Sequence, residues 1–296
     1  MNFTKPKIEI LLPPLIGDCV MTFPLINELN NFYNITLVCT EYTFEFIRFV
    51  QNSLHVKNID ELSNTKHVTI DFLSDEISYN YLIHSKPKIS IGFPDGKYNY
   101  NLFLKQPKDF VCNQASEIFL YALDLLKLSQ PSFFDFSFSK TWFFSKQESI
   151  LIAPGAGNLD RCFEISSFVE LAKHLSVTYK VYFILGPSEQ HLAKFINNKY
   201  KIIHTNNIER TLCNISKARM LIVSEGGFMH LAAAYGIPLI GLFKIASIKN
   251  WFPYSNNLQV AIGNSVNDYH NIKCIVDFPL NEIISKTREI YENIRN

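Results

Sequence analysis

None of the six cysteines of this 296-residue chain stands close to another: Cys19, Cys39, Cys112, Cys162, Cys213 and Cys274 are scattered singly, without a Cys-x-x-Cys pair. That spacing offers neither a disulfide framework nor a zinc site, and the expectation is reduced, mostly buried thiols. Long hydrophobic runs are missing too. No segment approaches the roughly 18 apolar residues of a membrane span. The opening Met1-Asn2-Phe3-Thr4-Lys5-Pro6-Lys7 has no apolar signal-peptide core and leads straight into a strand. A cytoplasmic protein is expected. Excess charge is absent as well: the formal net charge is +1, which excludes the electrostatic footprint of a general nucleic-acid binder. There is no Asp-x-Asp pair to mark a metal–diphosphate site. Walker A, Gly-x-Ser-x-Gly and zinc-deaminase patterns are also missing, and no internal repeat or low-complexity tract is evident.

The chain is 47% hydrophobic and 19% charged, enough to build sizeable cores in roughly two domains of about 100–200 residues each. Apolar strands alternate with helices in both halves. The strands of the first half are 8–12, 35–39, 67–72 and 89–93, with helices to about Asn30, over 42–50 and over 113–128. Pro24 belongs in a first helical turn, so regular helix is expected only from near Thr22. The pattern breaks over 129–146, which is rich in Ser and Phe. It resumes with strands 150–153, 181–185, 201–203, 220–223 and 237–243 and helices 166–175 (Ser166 or Ser167 as N-cap), 188–197 and 208–218, with a final amphipathic helix over 280–294. Repeated βα units imply two open parallel sheets. The expected division is an N-terminal Rossmann-like domain over 1–135, a linker over 136–148, a C-terminal Rossmann-like domain over 149–278 and a C-terminal helix over 279–296.

The segment richest in chemistry is Ser224-Glu225-Gly226-Gly227-Phe228-Met229-His230-Leu231-Ala232-Ala233-Ala234, which follows the apolar run Met220-Leu221-Ile222-Val223. A strand turning through Gly-Gly into a helix presents unpaired backbone N–H groups and the positive end of a helix dipole, a site for phosphate. The alternative is a Gly-rich turn without a ligand, with His230 a buried structural imidazole. Asp18, after a strand and Gly17, is either a general base for a substrate hydroxyl or an N-cap. Pro154-Gly155-Ala156-Gly157 with Arg161 offers close backbone approach and a guanidinium fork to phosphate. The Gly-x-Gly there is only a fragment of a dinucleotide fingerprint, because Asp160 stands where the third glycine belongs. Glu189, after Gly186-Pro187-Ser188, is either an acceptor for ribose hydroxyls or a first-turn helix acid. Lys86, Lys88, Lys97, Lys105 and Lys108, interleaved with Phe93, Tyr98, Tyr100 and Phe103, form a solvated loop or a surface for anionic groups.

Taken in order, Ile16-Gly17-Asp18…Phe23-Pro24-Leu25, Pro154-Gly155-Ala156…Arg161-Cys162-Phe163, Leu185-Gly186-Pro187-Ser188-Glu189 and the Ser224–Ala234 segment with Gly236-Ile237-Pro238 resemble the ADP-heptose:lipopolysaccharide heptosyltransferases of glycosyltransferase family 9. The resemblance runs from residue 8 to about 255. It implies an α/β GT-B fold, two Rossmann-like parallel-sheet domains facing a central cleft, and inverting, metal-independent transfer of heptose from ADP-heptose to a lipopolysaccharide core precursor, with no cofactor. It implies that Asp18 is the catalytic base. The implied donor-binding set is Gly17, Arg161 (a position usually Lys) at the phosphates, Glu189 at the ribose, and Glu225, Gly226, Gly227 and His230 on the family's Asp-Thr/Ser-Gly-x-x-His motif. The implied partners are a nucleotide-sugar donor and an anionic glycolipid acceptor, with peripheral contact at the inner face of the inner membrane and no nucleic acid. Glu225 replaces the usual Asp, Gly226 a hydroxyl residue, and Phe163-Glu164 the frequent Trp-Pro. These departures keep open a related transferase using another nucleotide sugar, or a nucleotide-binding member without turnover.

Overall fold

The computed structural model describes residues 4–62, 64, 66–104, 115–131, 135–136, 138, 147–244, 248–253, 259–263 and 277–295. The chain divides into two compact units, 1–140 and 141–296. Most of the segment 129–146, together with Lys105, Lys108, Cys112 and Cys274, lies outside the described residues.

In the first unit, β1 (Lys7–Leu11), β2 (Asn34–Cys39), β3 (His55–Asn58), β4 (Val68–Asp71), β5 (Ile89–Gly92) and β6 (Leu102–Phe103) form one sheet in the order β3-β2-β1-β4-β5-β6. Helices α1 (Ile16–Met21), α2 (Phe23–Leu29), α3 (Glu41–Val50), α4 (Glu76–Ser85) and α5 (Ala115–Leu125) belong to it. In the second, β7 (Ser149–Ala153), β8 (Lys180–Leu185), β9 (Lys201–His204), β10 (Met220–Ser224), β11 (Leu239–Phe243) and β12 (Gln259–Gly263) run β12-β11-β10-β7-β8-β9. Its helices are α6 (Ile165–Leu175), α7 (Ile208–Lys217), α8 (Gly227–Ala234), α9 (Ile248–Trp251) and α10 (Leu280–Arg295). Every strand pairing is parallel.

Counted within its own unit, each sheet runs third, second, first, fourth, fifth, sixth. This is the Rossmann order, in which ligands bind beyond the carboxyl ends of the strands where the winding reverses. That reversal falls between β1 and β4 in the first unit and between β7 and β10 in the second. The two units therefore repeat in topology where the sequence shows no repeat.

Burial explains the strands. β7, β10 and β11 are buried at every residue, as parallel strands covered on both faces require. Ile150, Ile152, Phe168, Phe183, Ile222 and Leu242 form one core with Ile283 and Tyr291 of α10, so the last helix closes over the second sheet. The first sheet contains a charged pair that the sequence pattern hid. Lys57 Nζ donates to Glu9 Oε1 at 2.8 Å and Tyr81 Oη donates to Glu9 Oε2 at 2.9 Å, all three side chains being buried.

Several boundaries differ from the sequence reading. Helix begins at Ile16, not near Thr22; it breaks at Thr22 and restarts with Pro24 in the first turn of α2. The N-cap of α6 is Glu164, without a side-chain cap bond, rather than Ser166 or Ser167. Residues Pro187–Phe195 wind as a 3-10 helix rather than an α-helix. Ile237 and Pro238 lie in the turn before β11: Gly236 takes φ +63° and the N–H of Ile237 reaches back to the carbonyl of Ala232 at 2.9 Å, closing α8 with a left-handed glycine. β3, β6, β12, α4 and α9 were not anticipated.

Removing one partner of a buried ion pair leaves the other charge stranded. Lys57→Met should destabilise the protein by about 3–5 kcal/mol in denaturant unfolding, and pairing it with Glu9→Leu should recover most of that loss.

Candidate functional site

At the switch point of the second sheet, the chain leaving β10 is pinned from both sides. The hydroxyl of Ser224 donates to the carbonyl of Pro154, beyond β7, at 2.9 Å, and the N–H of Glu225 donates to the carbonyl of Leu242 on β11 at 3.0 Å. The chain then enters α8 through Gly226, which has extended backbone and no capping side chain. A Cβ at Gly226 would stand 3.4 Å from that of Ala156, an ordinary contact, and one at Gly227 would meet nothing within 4 Å. Backbone conformation therefore does not dictate the two glycines; they leave open space in front of the first turn of α8, whose N–H groups lack intrahelical acceptors.

Arg161 closes a short 3-10 turn in the loop after β7. Its Nη1 lies 3.1 Å from Glu225 Oε1 and 2.9 Å from Oε2. The Glu225 side chain is only 3% exposed and that of Arg161 37%, so the pair holds a buried carboxylate with a cation whose remaining donors reach solvent. His230, four residues beyond Gly226 and 2% exposed, faces the same charge. Burial, then the Arg161 guanidinium, lowers its pKa to about 4. The imidazole is neutral at pH 7, and its Nδ1 has no hydrogen-bond partner among the described residues. A buried polar atom left unpaired costs free energy that a bound ligand can recover.

Glu189 is buried against both neighbouring loops. Its Oε1 accepts from the Ser188 hydroxyl at 2.7 Å. A Cβ at Gly155 would fall 2.0 Å from its Cγ, and one at Gly186 would fall 2.2 Å from its Oε2. Gly155 therefore makes room for Glu189, which corrects the reading of that glycine as room for phosphate. Cys162 accepts the Ala156 N–H at 3.1 Å through Sγ, and burial raises its thiol pKa, with Glu189 and Glu225 acting in the same direction and Lys244 opposing them. Lys244, absent from the sequence reading, donates from Nζ to the carbonyl of Cys162 at 3.0 Å. Its signal was available: one charged residue closing the apolar strand Leu239–Phe243.

Arg161, Glu225, Gly226, Gly227 and His230 thus come together around the start of α8, with Glu189 beside the loop that carries Arg161. Gly17 and Asp18 belong to the other unit. Both lie within α1, over the switch point of the first sheet. Asp18 occupies the first turn of that helix, and the helix N-cap is Leu15, so the capping alternative for Asp18 does not hold. The thiol of Cys19 beside it donates to the carbonyl of Pro13 at 3.0 Å. Among the described residues, no group of three or more His, Cys, Asp or Glu could hold a metal ion, and no helix is long and apolar enough to cross a membrane.

Two Rossmann-ordered units, one presenting an open helix N-terminus flanked by a guanidinium and buried carboxylates, give a GT-B architecture with a place suited to phosphate. Residues 113–276, more than half of the chain, match the family model of glycosyltransferase family 9 (heptosyltransferase), and the chain belongs to that family. The fold agrees. The glycosyltransferase family 9 protein of Veillonella parvula superposes with a TM-score of 0.79 at 14% identity, covering 99% of both chains. ADP-heptose lps heptosyltransferase II of E. coli does so with a TM-score of 0.79 at 14% identity, over 98% of this chain and 100% of that one. The E. coli heptosyltransferase WaaC, solved with ADP, gives 0.72 at 14% identity over 96% and 99%. No curated protein sequence matches the chain.

His230 carries a pH prediction. Its folded pKa of about 4 lies below the ordinary 6.5, so between those values the unfolded chain binds the extra proton and stability falls as pH drops. Between pH 7.5 and pH 5 this loss should be about 2 kcal/mol at about 1.36 kcal/mol per pKa unit. Denaturant unfolding of His230→Gln should show a pH dependence shallower by that amount.

Proposed function

We propose that this glycosyltransferase is an inverting heptosyltransferase that takes heptose from ADP-heptose and places it on a lipopolysaccharide core precursor. The observation that carries the reading is the Arg161–Glu225 pair set against the open N-terminus of α8 with the unpaired Nδ1 of His230. In inverting transfer, an acceptor hydroxyl oxygen bonds to the anomeric carbon as the bond from that carbon to the diphosphate breaks, and the hydroxyl proton passes to a base. Asp18 is that base. The leaving diphosphate gains one negative charge as that bond breaks, and the N–H groups of Gly227 and its successors with the remaining donors of Arg161 meet it. These groups supply the neutralisation without a divalent cation, so chelation should leave turnover intact. Glu189 takes the ribose hydroxyls, and Gly17, Glu225, Gly226 and His230 complete the donor set. Glu225, one methylene longer than aspartate, reaches Arg161 while remaining buried, and positions the guanidinium as well as accepting from the sugar.

The acceptor in this reading is an anionic glycolipid at the cytoplasmic face of the inner membrane. Lys86, Lys88 and Lys97, all exposed on the first unit, support a peripheral contact with acidic headgroups. One observation favours a second reading, a different nucleotide sugar: Gly226 has no hydroxyl to offer a phosphate, and Gly227 leaves space beside it.

Calorimetric titration with ADP-heptose, ADP, UDP and GDP tests the donor. Selective binding of ADP, with ADP-heptose tighter, is expected. Preference for UDP or GDP would replace the heptose donor, and failure of every ligand to bind would make the chain a member without turnover. Asp18→Ala should lower the transfer rate about 10²–10⁴-fold with ADP affinity unchanged, and full activity in that variant would remove Asp18 from the mechanism.

A further inference from the structure

We propose that Lys244 is a second phosphate-anchoring cation of the donor site, supplying the positive charge that Arg161 has largely committed to Glu225. The inference rests on the donor assignment above and adds a residue to it.

The geometry starts from the sheet order β11-β10-β7. Lys244 follows the last residue of β11, and its Nζ donates at 3.0 Å to the carbonyl of Cys162, in the loop that leaves β7. Strands in a sheet stand about 4.8 Å apart, so the contact between the residue after β11 and the loop that leaves β7 spans the carboxyl end of β10, the strand between them. That end carries Ser224, Glu225 and Gly226. Ser224 pairs in register with Leu242, which places Gly226, the N-cap of α8, level with Lys244 one strand away. The ammonium therefore lies across the mouth of the switch point, in front of the helix whose N–H groups face the donor diphosphate.

Charge on the two sides of this mouth is unequal. Arg161 touches both carboxylate oxygens of Glu225. Lys244 meets a neutral carbonyl, and no acidic partner is found for it among the described residues. The Cys162 thiol registers the arrangement: it senses Lys244 as a cation and Glu189 and Glu225 as anions, so all three lie within electrostatic reach of one atom. A carbonyl–ammonium bond is readily exchanged for a phosphate–ammonium bond, since a lysine binds as a compact point charge with three rotatable donors. Lys244 then stabilises the diphosphate as it leaves, a role distinct from the ribose contact of Glu189.

Calorimetry with wild type, Lys244→Gln and Lys244→Arg separates this role from a structural one. Each protein is titrated with ADP, UDP, GDP and adenosine. For the nucleoside diphosphate that the wild type binds, Lys244→Gln should weaken affinity at least tenfold, flatten its dependence on salt concentration and leave adenosine affinity unchanged, with Lys244→Arg recovering most of the loss. Unchanged diphosphate affinity in Lys244→Gln overturns the inference and leaves the donor assignment standing. Equal loss of adenosine and diphosphate affinity shows that Lys244 only shapes the loop at Cys162 and also overturns it. A wild type that binds no nucleoside diphosphate overturns both readings.

Discussion

The contact between Arg161 and Glu225 joins two loops that the winding of the second sheet makes neighbours. β7 and β10 are adjacent in space and far apart in sequence, so their following loops diverge from the switch point with nothing in the strand ladder to hold them together. The ion pair does that, and the Ser224 hydroxyl bonded to the Pro154 carbonyl reinforces it. Glu225 is a buried carboxylate, and the guanidinium offsets part of the cost of holding its charge away from water. The pair therefore fixes the direction of Arg161 at the entrance of α8, while burial, helped by the Arg161 charge, keeps His230 neutral. Catalytic electrostatics of this kind depends on donors already aimed before the substrate arrives.

Topology explains why both proposed chemical groups sit where they do. Asp18 follows β1 and the Arg161 loop follows β7, the first strand of each unit and the strand beside each reversal. A doubly wound sheet leaves a crevice only there. The fold thus offers one position per unit for a reactive loop, and each of the two is occupied by residues suited to glycosyl transfer: a carboxylate in one case, and cations with a helix terminus in the other.

Much of the architecture was legible because β7, β8, β10 and β11 are largely apolar runs that meet Gly or Pro within two residues of an end, a pattern that burial on both faces imposes. The turn from β10 into α8 was legible for the same reason, since Gly-Gly after such a run marks a strand-to-helix turn. What escaped has particular causes. β3 reads His55-Val56-Lys57-Asn58, a polar string, because its buried lysine is matched to Glu9 on a different strand, and pairing across a sheet leaves no local trace. α4 exposes Ile77 and Ile83 at 50% and 57%, which erased the amphipathic period. Lys244 was passed over because its partner lies 82 residues away. The meaning of Gly155 was misjudged because the side chain that needs its space is Glu189, on the next loop.

Two glycines, Gly155 and Gly186, are hollowed around a single carboxylate. A side chain at Gly155 would have to displace the stem of Glu189 and one at Gly186 its flexible carboxylate end, and shortening Glu189 would relieve both contacts. The order of substitutions is therefore biased: a lineage that shortens the glutamate first fills the hollow at lower steric cost than one that fills it while the glutamate stands. The three positions are therefore coupled, and a side chain is accommodated most easily at Gly155 in a relative that has already lost the acid at Glu189.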